Sequence, residues 1–392
     1  MSLALVGCAT DGKAGMDGTD GAAGAAGTDG AAGAAGAAGA TGATGPERAL
    51  PALYTLTNTT GGNQVSDWLR ASNGNLSRNG TYATTGKGLS AGIGSQGALV
   101  FDDASQRFFA VNPGDNTISM LALAEDGTLT MMSTVASGGV KPVSIAVHGD
   151  IVYVVNYGDI NAAQVGANIT GFKVAGATLT PIAGSTRPLS ATTDVHPTDI
   201  GFSPTGDYVL VVERIASKLD TFKLVDGVAQ AGSFQASVGM QPFAFDWSPE
   251  GFLLVAEVGD GSATGSSASS YSISDTGALT PITSKLATLQ GAACWIVSAG
   301  GYAYVANAAS ANITGLTVSE TGVLTLHDKT GITAMTGAGA NDVAVSPDHG
   351  FLYSLSGGDH SIHPFAIDPS GNLTAMPVLA NLPTFAAGLA VR

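Results

Sequence analysis

Two glutamates stand where a repeated pattern places something else. Seven short apolar strands in this chain end in a polar residue: Asn58, Asn112, Asn156, Glu213, Glu257, Asn307 and Ser356. Asparagine is the bland choice, since its side chain bonds local backbone and starts a turn. Glu213 and Glu257 fall in consecutive copies. Two carboxylates drawn together near a common axis would raise one pKa, which suits a general base or a cation site. Two separate loop carboxylates are the simpler alternative. His196 precedes Pro197 and lies close in sequence to Asp199; it is a candidate base or carbonyl-polarising group, or a surface histidine without a task. Lys141, Arg214 and His196 are the candidates to stabilise an oxyanion beside a glutamate-activated water. Gln96, Asp199, Gln241, Trp295, Asn341 and Asp342 lie where the chain enters the strand ahead of each apolar one, and are candidate binding residues. Cys294 reads as a small buried hydrophobe and His148 as a structural residue. Zinc spacings, phosphate loops, nucleophile elbows and dinucleotide fingerprints are all missing, so the sequence implies no metal and no cofactor.

The elements that must position these residues repeat. A turn followed by a short strand, Gly-x-Leu-Thr or Gly-x-Leu-Ser, recurs at Gly74, Gly127, Gly176 (one residue inserted), Gly277, Gly322 and Gly371, with a degenerate copy at Gly227; successive glycines are 45 to 53 residues apart. A strand-rich period of this size means a β-propeller with one four-stranded blade per repeat. Each unit has an apolar second strand, such as Tyr153 to Asn156, and an alternating third strand, such as Ile169 to Phe172. The first unit has no inner strand ahead of it, and Gly388 to Arg392 is a spare one. The expected fold is all-β, a seven-bladed propeller over 52–392, with the C-terminal strand closing the ring and removing exposed edges. Loops entering each inner strand and leaving each second strand then gather on one face.

Composition narrows the partners. Hydrophobic residues make up 44% and charged residues 11%, with 55 glycines, which suits short strands and tight turns rather than disorder. The formal net charge of -15 argues against nucleic acid, whose phosphates need a basic face. No segment is apolar for long enough to cross a membrane. The run Leu3-Ala4-Leu5-Val6-Gly7-Cys8 resembles a bacterial lipobox, with a chance cysteine as the alternative. On that reading residues 1–8 are a signal remnant and Cys8 carries the lipid. The chain is then exported and anchored at the bacterial outer surface or in the periplasm, touching membrane only through that anchor. From Gly12 to Gly45 glycine occupies every third position, and 9–51 reads as a collagen-like or flexible stalk. The pattern is that of a triple helix, but its X and Y positions are mostly Ala, Thr and Asp. A flexible spacer and a trimerising segment both remain open.

The repeats resemble the lactonase-type seven-bladed propellers, the group of 6-phosphogluconolactonase-like proteins and carboxy-cis,cis-muconate cyclases. The resemblance covers nearly all of Leu53 to Arg392. It rests on Gly97-Ala98-Leu99-Val100, Phe109-Ala110-Val111-Asn112 with Asn116-Thr117-Ile118-Ser119, Lys141-Pro142-Val143-Ser144, and Gly201-Phe202-Ser203-Pro204-Thr205-Gly206. It implies a lactone as small-molecule substrate and His, Arg and Glu gathered around the axis. The other reading is a non-catalytic module held out on a stalk to bind a surface polymer or a protein.

Overall fold

The computed structural model describes residues 50–159, 166–191 and 195–392. Cys8 and the Gly-x-y run lie outside them, so the expectations of lipidation, stalk and trimer fall there too. Seven antiparallel sheets of four or five strands each form one blade. Blade 1 joins Ala52–Leu56, Gln64–Arg70 and Leu76–Ala83 to an innermost strand from the far end of the chain, Ala387–Val391. The innermost strands of blades 2 to 7 are Leu99–Asp102, Pro142–His148, Pro197–Phe202, Pro242–Trp247, Ala293–Ala299 and Ala340–Val345. Their second strands are Arg107–Asn112, Ile151–Asn156, Tyr208–Glu213, Leu253–Glu257, Tyr302–Asn307 and Phe351–Ser356. Each pairs antiparallel with its inner neighbour, so inner strands begin, and second strands end, on the same face. We call this the upper face.

The second strands are the apolar centre of each blade, buried on both sides by the neighbouring blades. Val152 to Val155, Leu210 to Val212 and Tyr304 to Ala306 are each 2% exposed or less, which is why they read as unbroken apolar runs instead of alternating ones.

The repeat's marker glycine has two physical causes. Its φ is positive in every copy, from +57° at Gly176 to +86° at Gly127, a region open to glycine without strain. In five copies it also lies against the preceding blade. A Cβ on Gly74 would meet the Phe351 ring at 2.4 Å, on Gly277 the Tyr208 ring at 2.5 Å, on Gly371 the Tyr302 ring at 2.4 Å, on Gly322 the Phe252 ring at 2.7 Å, and on Gly227 Ile151 at 3.0 Å. Tyrosine hydroxyls dock on the same turns, Tyr153 on the Gly227 carbonyl at 2.8 Å and Tyr304 on the Gly371 carbonyl at 2.9 Å. The turn of one blade is thus keyed to the apolar strand of the one before.

The tail closes the ring as expected. Leu53, Tyr54, Thr55 and Leu56 pair with Val391, Ala390, Leu389 and Ala387 across a bulge at Gly388, and Ala52 and Arg392 exchange both backbone hydrogen bonds.

Candidate functional site

Five side chains on the upper face come from three adjacent blades, and one backbone device presents them. The residue just ahead of the inner strand in blades 3, 4 and 5 is Lys141, His196 and Gln241, with φ of +58°, +49° and +51°. Non-glycine residues in this left-handed region carry strain, more so before proline, and each of the three precedes one. A β-bulge follows at once, between Pro142 and Ser144, Pro197 and Asp199, and Pro242 and Ala244. The carbonyl of each strained residue then accepts the N–H of the residue just past the second strand. These bonds run from Tyr157 to Lys141 (2.9 Å), Arg214 to His196 (3.1 Å) and Val258 to Gln241 (3.0 Å). The backbone therefore sets two side chains together at the rim of each blade.

What fills those paired positions differs around the ring. Blades 3 to 5 carry Lys141 with Tyr157, His196 with Arg214, and Gln241 with Val258. Blades 6 and 7 make the same backbone bond between Ala308 and Ala292 and between Gly357 and Gly339, at 2.8 and 2.9 Å, and bring no functional group. The polar side chains touch. The Lys141 ammonium sits 4.2 Å from the Tyr157 ring centroid, the Tyr157 hydroxyl is 2.7 Å from His196 Nδ1, and Arg214 Nε donates to Gln241 Oε1 at 3.2 Å. Partial burial lowers the Lys141 pKa, opposed by the charge of Asp159. Sequence reasoning found four of these residues and missed Tyr157, although it follows Asn156 as Arg214 follows Glu213.

Glu213 and Glu257 are placed differently from expectation. Both are wholly buried, and each is bonded within its own surroundings. Glu213 accepts the Ser190 N–H at 2.7 Å and the Ser190 hydroxyl. Glu257 accepts the Ser267 hydroxyl, the Gly239 N–H at 3.1 Å and, at 3.5 Å, the Ser237 hydroxyl. This is the bland role that the asparagines fill in other blades. Asn112 and Asn307 likewise end a second strand and donate to a third-strand hydroxyl, Ser119 at 2.7 Å and Thr314 at 2.8 Å. The carboxylate beside Glu213 is Asp220, which holds the third-strand position that Ser119 and Thr314 hold elsewhere. Both Asp220 oxygens are buried without an N–H or hydroxyl donor. Burial first, then the Glu213 carboxylate, pushes its pKa up to about 10. Burial and the neighbouring Glu213 thus favour the protonated form of Asp220.

The remaining candidates line the bore. Ser95, Gln96 and Gly97 lead into the inner strand of blade 2 and cross the bore. Ser95 Oγ donates to the Val143 carbonyl of blade 3 at 2.6 Å, and the Gln96 N–H to the Thr198 carbonyl of blade 4 at 3.0 Å. The Gln96 amide donates to the Phe245 carbonyl of blade 5 and the Ile296 carbonyl of blade 6, both at 3.1 Å, and accepts the Ile296 N–H at 3.2 Å. Trp295 Nε1 donates to the Ser95 carbonyl at 3.0 Å. Gln96 and Trp295 are therefore committed to an internal plug. Beneath it, a cleft of about 390 Å³ opens on the lower face, with Asp199, Asp246 and His148 in its wall.

Inner strands are edge strands, and their spare N–H groups need acceptors. Asp199 takes the Phe245 N–H of the next blade at 3.0 Å, and Asp246 takes the Ser298 N–H at 2.7 Å. Burial pushes Asp199 up to about 8 and Asp246 up to about 6, and holds Asp342 well above the usual carboxylate range. Asp342 keeps one buried oxygen without a donor. Its neighbour Asn341, at the bulge of blade 7, donates to the Ala386 carbonyl at 3.4 Å.

Two further groups are chemically suggestive but unsuited to catalysis. Ser361, His363 and Asp359 touch one another in blade 7, yet Ser361 Oγ (2.8 Å) and Asp359 Oδ2 (3.1 Å) meet the same nitrogen, His363 Nε2. A hydrolytic triad uses the two ring nitrogens for the two partners. Cys294 is buried, and burial pushes its thiol up to about 12, so it holds no thiolate to attack with. Among the described residues, no three His, Cys, Asp or Glu side chains are grouped to hold a metal ion.

No protein family and no curated protein matches this chain. Solved structures do. The periplasmic gluconolactonase of Pseudomonas aeruginosa superposes with a TM-score of 0.66 at 18% identity, covering 88% of this chain and 99% of that one. A provisionally assigned 6-phosphogluconolactonase of Bacteroides uniformis gives 0.67 at 19%, covering 87% and 99%. A protein from Lactobacillus plantarum gives 0.68 at 19%, covering 88% and 99%. The seven-bladed propeller is the shared fold. At this identity the likeness extends to the backbone alone.

Proposed function

We propose that this propeller hydrolyses a lactone ring at its upper face, with His196 as the proton carrier and Arg214 as the electrophilic support. One observation carries the reading: a single backbone device, with φ of +49° to +58° at the residue ahead of the inner strand in blades 3 to 6, carries the polar groups Lys141, Tyr157, His196, Arg214 and Gln241 in three adjacent blades, whereas blade 6 fills the same positions with Ala292 and Ala308. His196 takes a proton from water as its oxygen adds to the lactone carbonyl. Arg214, steadied by Gln241, and the Lys141 ammonium stabilise the oxyanion. As the tetrahedral intermediate collapses, the ring C–O bond breaks and the leaving oxygen takes the proton back from His196. The product is a hydroxy acid. Tyr157 fixes the orientation of the imidazole. Glu213 and Glu257 support this arrangement from below, their oxygens being held by serine hydroxyls and backbone N–H groups. The gluconolactonase activity of the Pseudomonas neighbour supports the reaction class. Its periplasmic location accords with an exported chain anchored through Cys8.

The test is hydrolysis of a panel of simple γ- and δ-lactones by wild type and three variants. His196→Gln should lower kcat/KM roughly 10²- to 10⁴-fold and Arg214→Gln roughly 10²- to 10³-fold. Glu257→Gln should change melting temperature more than turnover. Wild-type rates in both His196→Gln and Arg214→Gln would end the proposal.

A further inference from the structure

The backbone device at the upper rim has a second rung, one residue further from the sheets. In blade 3 the Gly158 N–H donates to the Val140 carbonyl at 2.9 Å, in blade 4 the Ile215 N–H to Val195 at 3.2 Å, and in blade 5 the Gly259 N–H to Met240 at 3.0 Å. Blade 7 makes the same bond from Gly358 to Ala338 at 2.9 Å. Where the first rung carries Lys141, Tyr157, His196, Arg214 and Gln241, the second carries valine, isoleucine and methionine. In blade 7, where the first rung is Gly339 and Gly357, the second is only alanine and glycine. Val195 is buried and Val140 half-buried, whereas Ile215 is 43% and Met240 54% exposed. Single apolar residues scattered on a surface mean little. These two stand on segments tied to each other at the site. Arg214 Nε donates to Gln241 Oε1 at 3.2 Å, the Gln241 N–H to Ser217 Oγ at 3.1 Å, and the Ser237 N–H to the Ser217 carbonyl at 3.0 Å. An uncharged, apolar shelf thus adjoins the cationic rung.

We propose that the lactone taken at this mouth carries an alkyl chain on its ring, and that Ile215 and Met240 hold the chain. The inference rests on the lactonase reading and narrows its substrate class. Ile215 follows Arg214 and Met240 precedes Gln241, so a ring whose carbonyl oxygen meets Arg214 has both apolar residues one step from its anchor. Methionine, unbranched and flexible, adapts its shape to a mobile chain. A methylene taken wholly out of water is worth about fourfold in affinity, and roughly twofold on a half-open shelf. A polyhydroxylated lactone would give up water at its hydroxyls against side chains that offer no hydrogen bond, so the pair selects against it.

The experiment compares γ-butyrolactone with γ-decalactone, which adds a hexyl chain to the same ring. In wild type, kcat/KM should favour γ-decalactone by roughly tenfold or more, at about twofold per methylene. Ile215→Thr combined with Met240→Gln should lower that ratio by roughly fivefold or more. Both positions are exposed, so the double variant should melt like wild type. A second arm needs no turnover. In His196→Gln, which keeps the lactone intact, γ-decalactone should shift the ¹³C-methyl resonance of Met240, identified by its loss in Met240→Gln. γ-Butyrolactone at the same concentration should leave it in place. A Met240 shift without hydrolysis of either lactone would fell the hydrolytic reading and leave the alkyl-chain shelf standing. Equal kcat/KM for the two lactones, an unchanged ratio in the double variant, or a Met240 resonance that γ-decalactone does not move would each overturn the proposal.

Discussion

Replacing Asp220 by asparagine should stabilise this protein, and increasingly so as pH rises. Asp220 is wholly buried, and its pKa is pushed up to about 10, whereas in the unfolded chain an aspartate titrates near ~3.9. Between those values the folded state holds a proton that the unfolded state has released. Stability therefore falls with rising pH by up to about 1.4 kcal/mol per unit, and levels off only near the folded pKa. At pH 7 the accumulated cost reaches up to about 4 kcal/mol. An amide in place of the Asp220 carboxyl would keep the shape and offer Glu213 an N–H with no proton to hold. For a propeller of this length, each kcal/mol moves the melting temperature by roughly 1.4 °C. The assay is thermal unfolding of wild type and Asp220→Asn from pH 5 to pH 9. The two melting curves should nearly meet at the acid end and separate by roughly 5 °C or more at the alkaline end. Parallel pH profiles, or a variant less stable throughout, would refute the raised pKa.

Removing residues 388–392 takes away the strand paired with Leu53 to Leu56 and opens the ring; cooperative unfolding should be lost in calorimetry, and a truncated chain melting like wild type would rule closure out. Gln96→Ala deletes three cross-bore hydrogen bonds and should cost roughly 2–4 kcal/mol in denaturant titration. Gly239→Ala would place a Cβ 1.8 Å from Glu257 Oε2 and should destabilise by roughly 1–3 kcal/mol, whereas Gly92→Ala, with nothing within 4 Å, should be near neutral in the same titration. Cys294 should resist a thiol reagent at pH 8 in the native protein and react fully once denatured, as its burial and raised pKa require.

The parts of this fold that were legible in the sequence are those set by local chemistry. The marker glycines show themselves because each turn demands positive φ, and the C-terminal strand because one blade lacked its first. Rim residues were legible by counting: Lys141, His196 and Gln241 each precede a proline at the start of an inner strand. What stayed hidden depends on distant partners. Glu213 looks like a rim acid until Ser190, 23 residues away, claims both its oxygens. Gln96 looks like a ligand contact until it meets carbonyls 149 and 200 residues further along. The closeness of Glu213 and Asp220 needed the strand register, which puts Asp220 opposite Val211. Composition reveals that two acids exist, not that they are buried side by side.

Ser95 to Gly97 cross the bore between the upper face and the lower cleft, bonded to blades 3, 4, 5 and 6. Under the proposed reaction, reactant and product use the same upper mouth, so added hydroxy acid should slow turnover by occupancy. The amide of Gln96 staples the inner strands of blades 5 and 6 at that crossing.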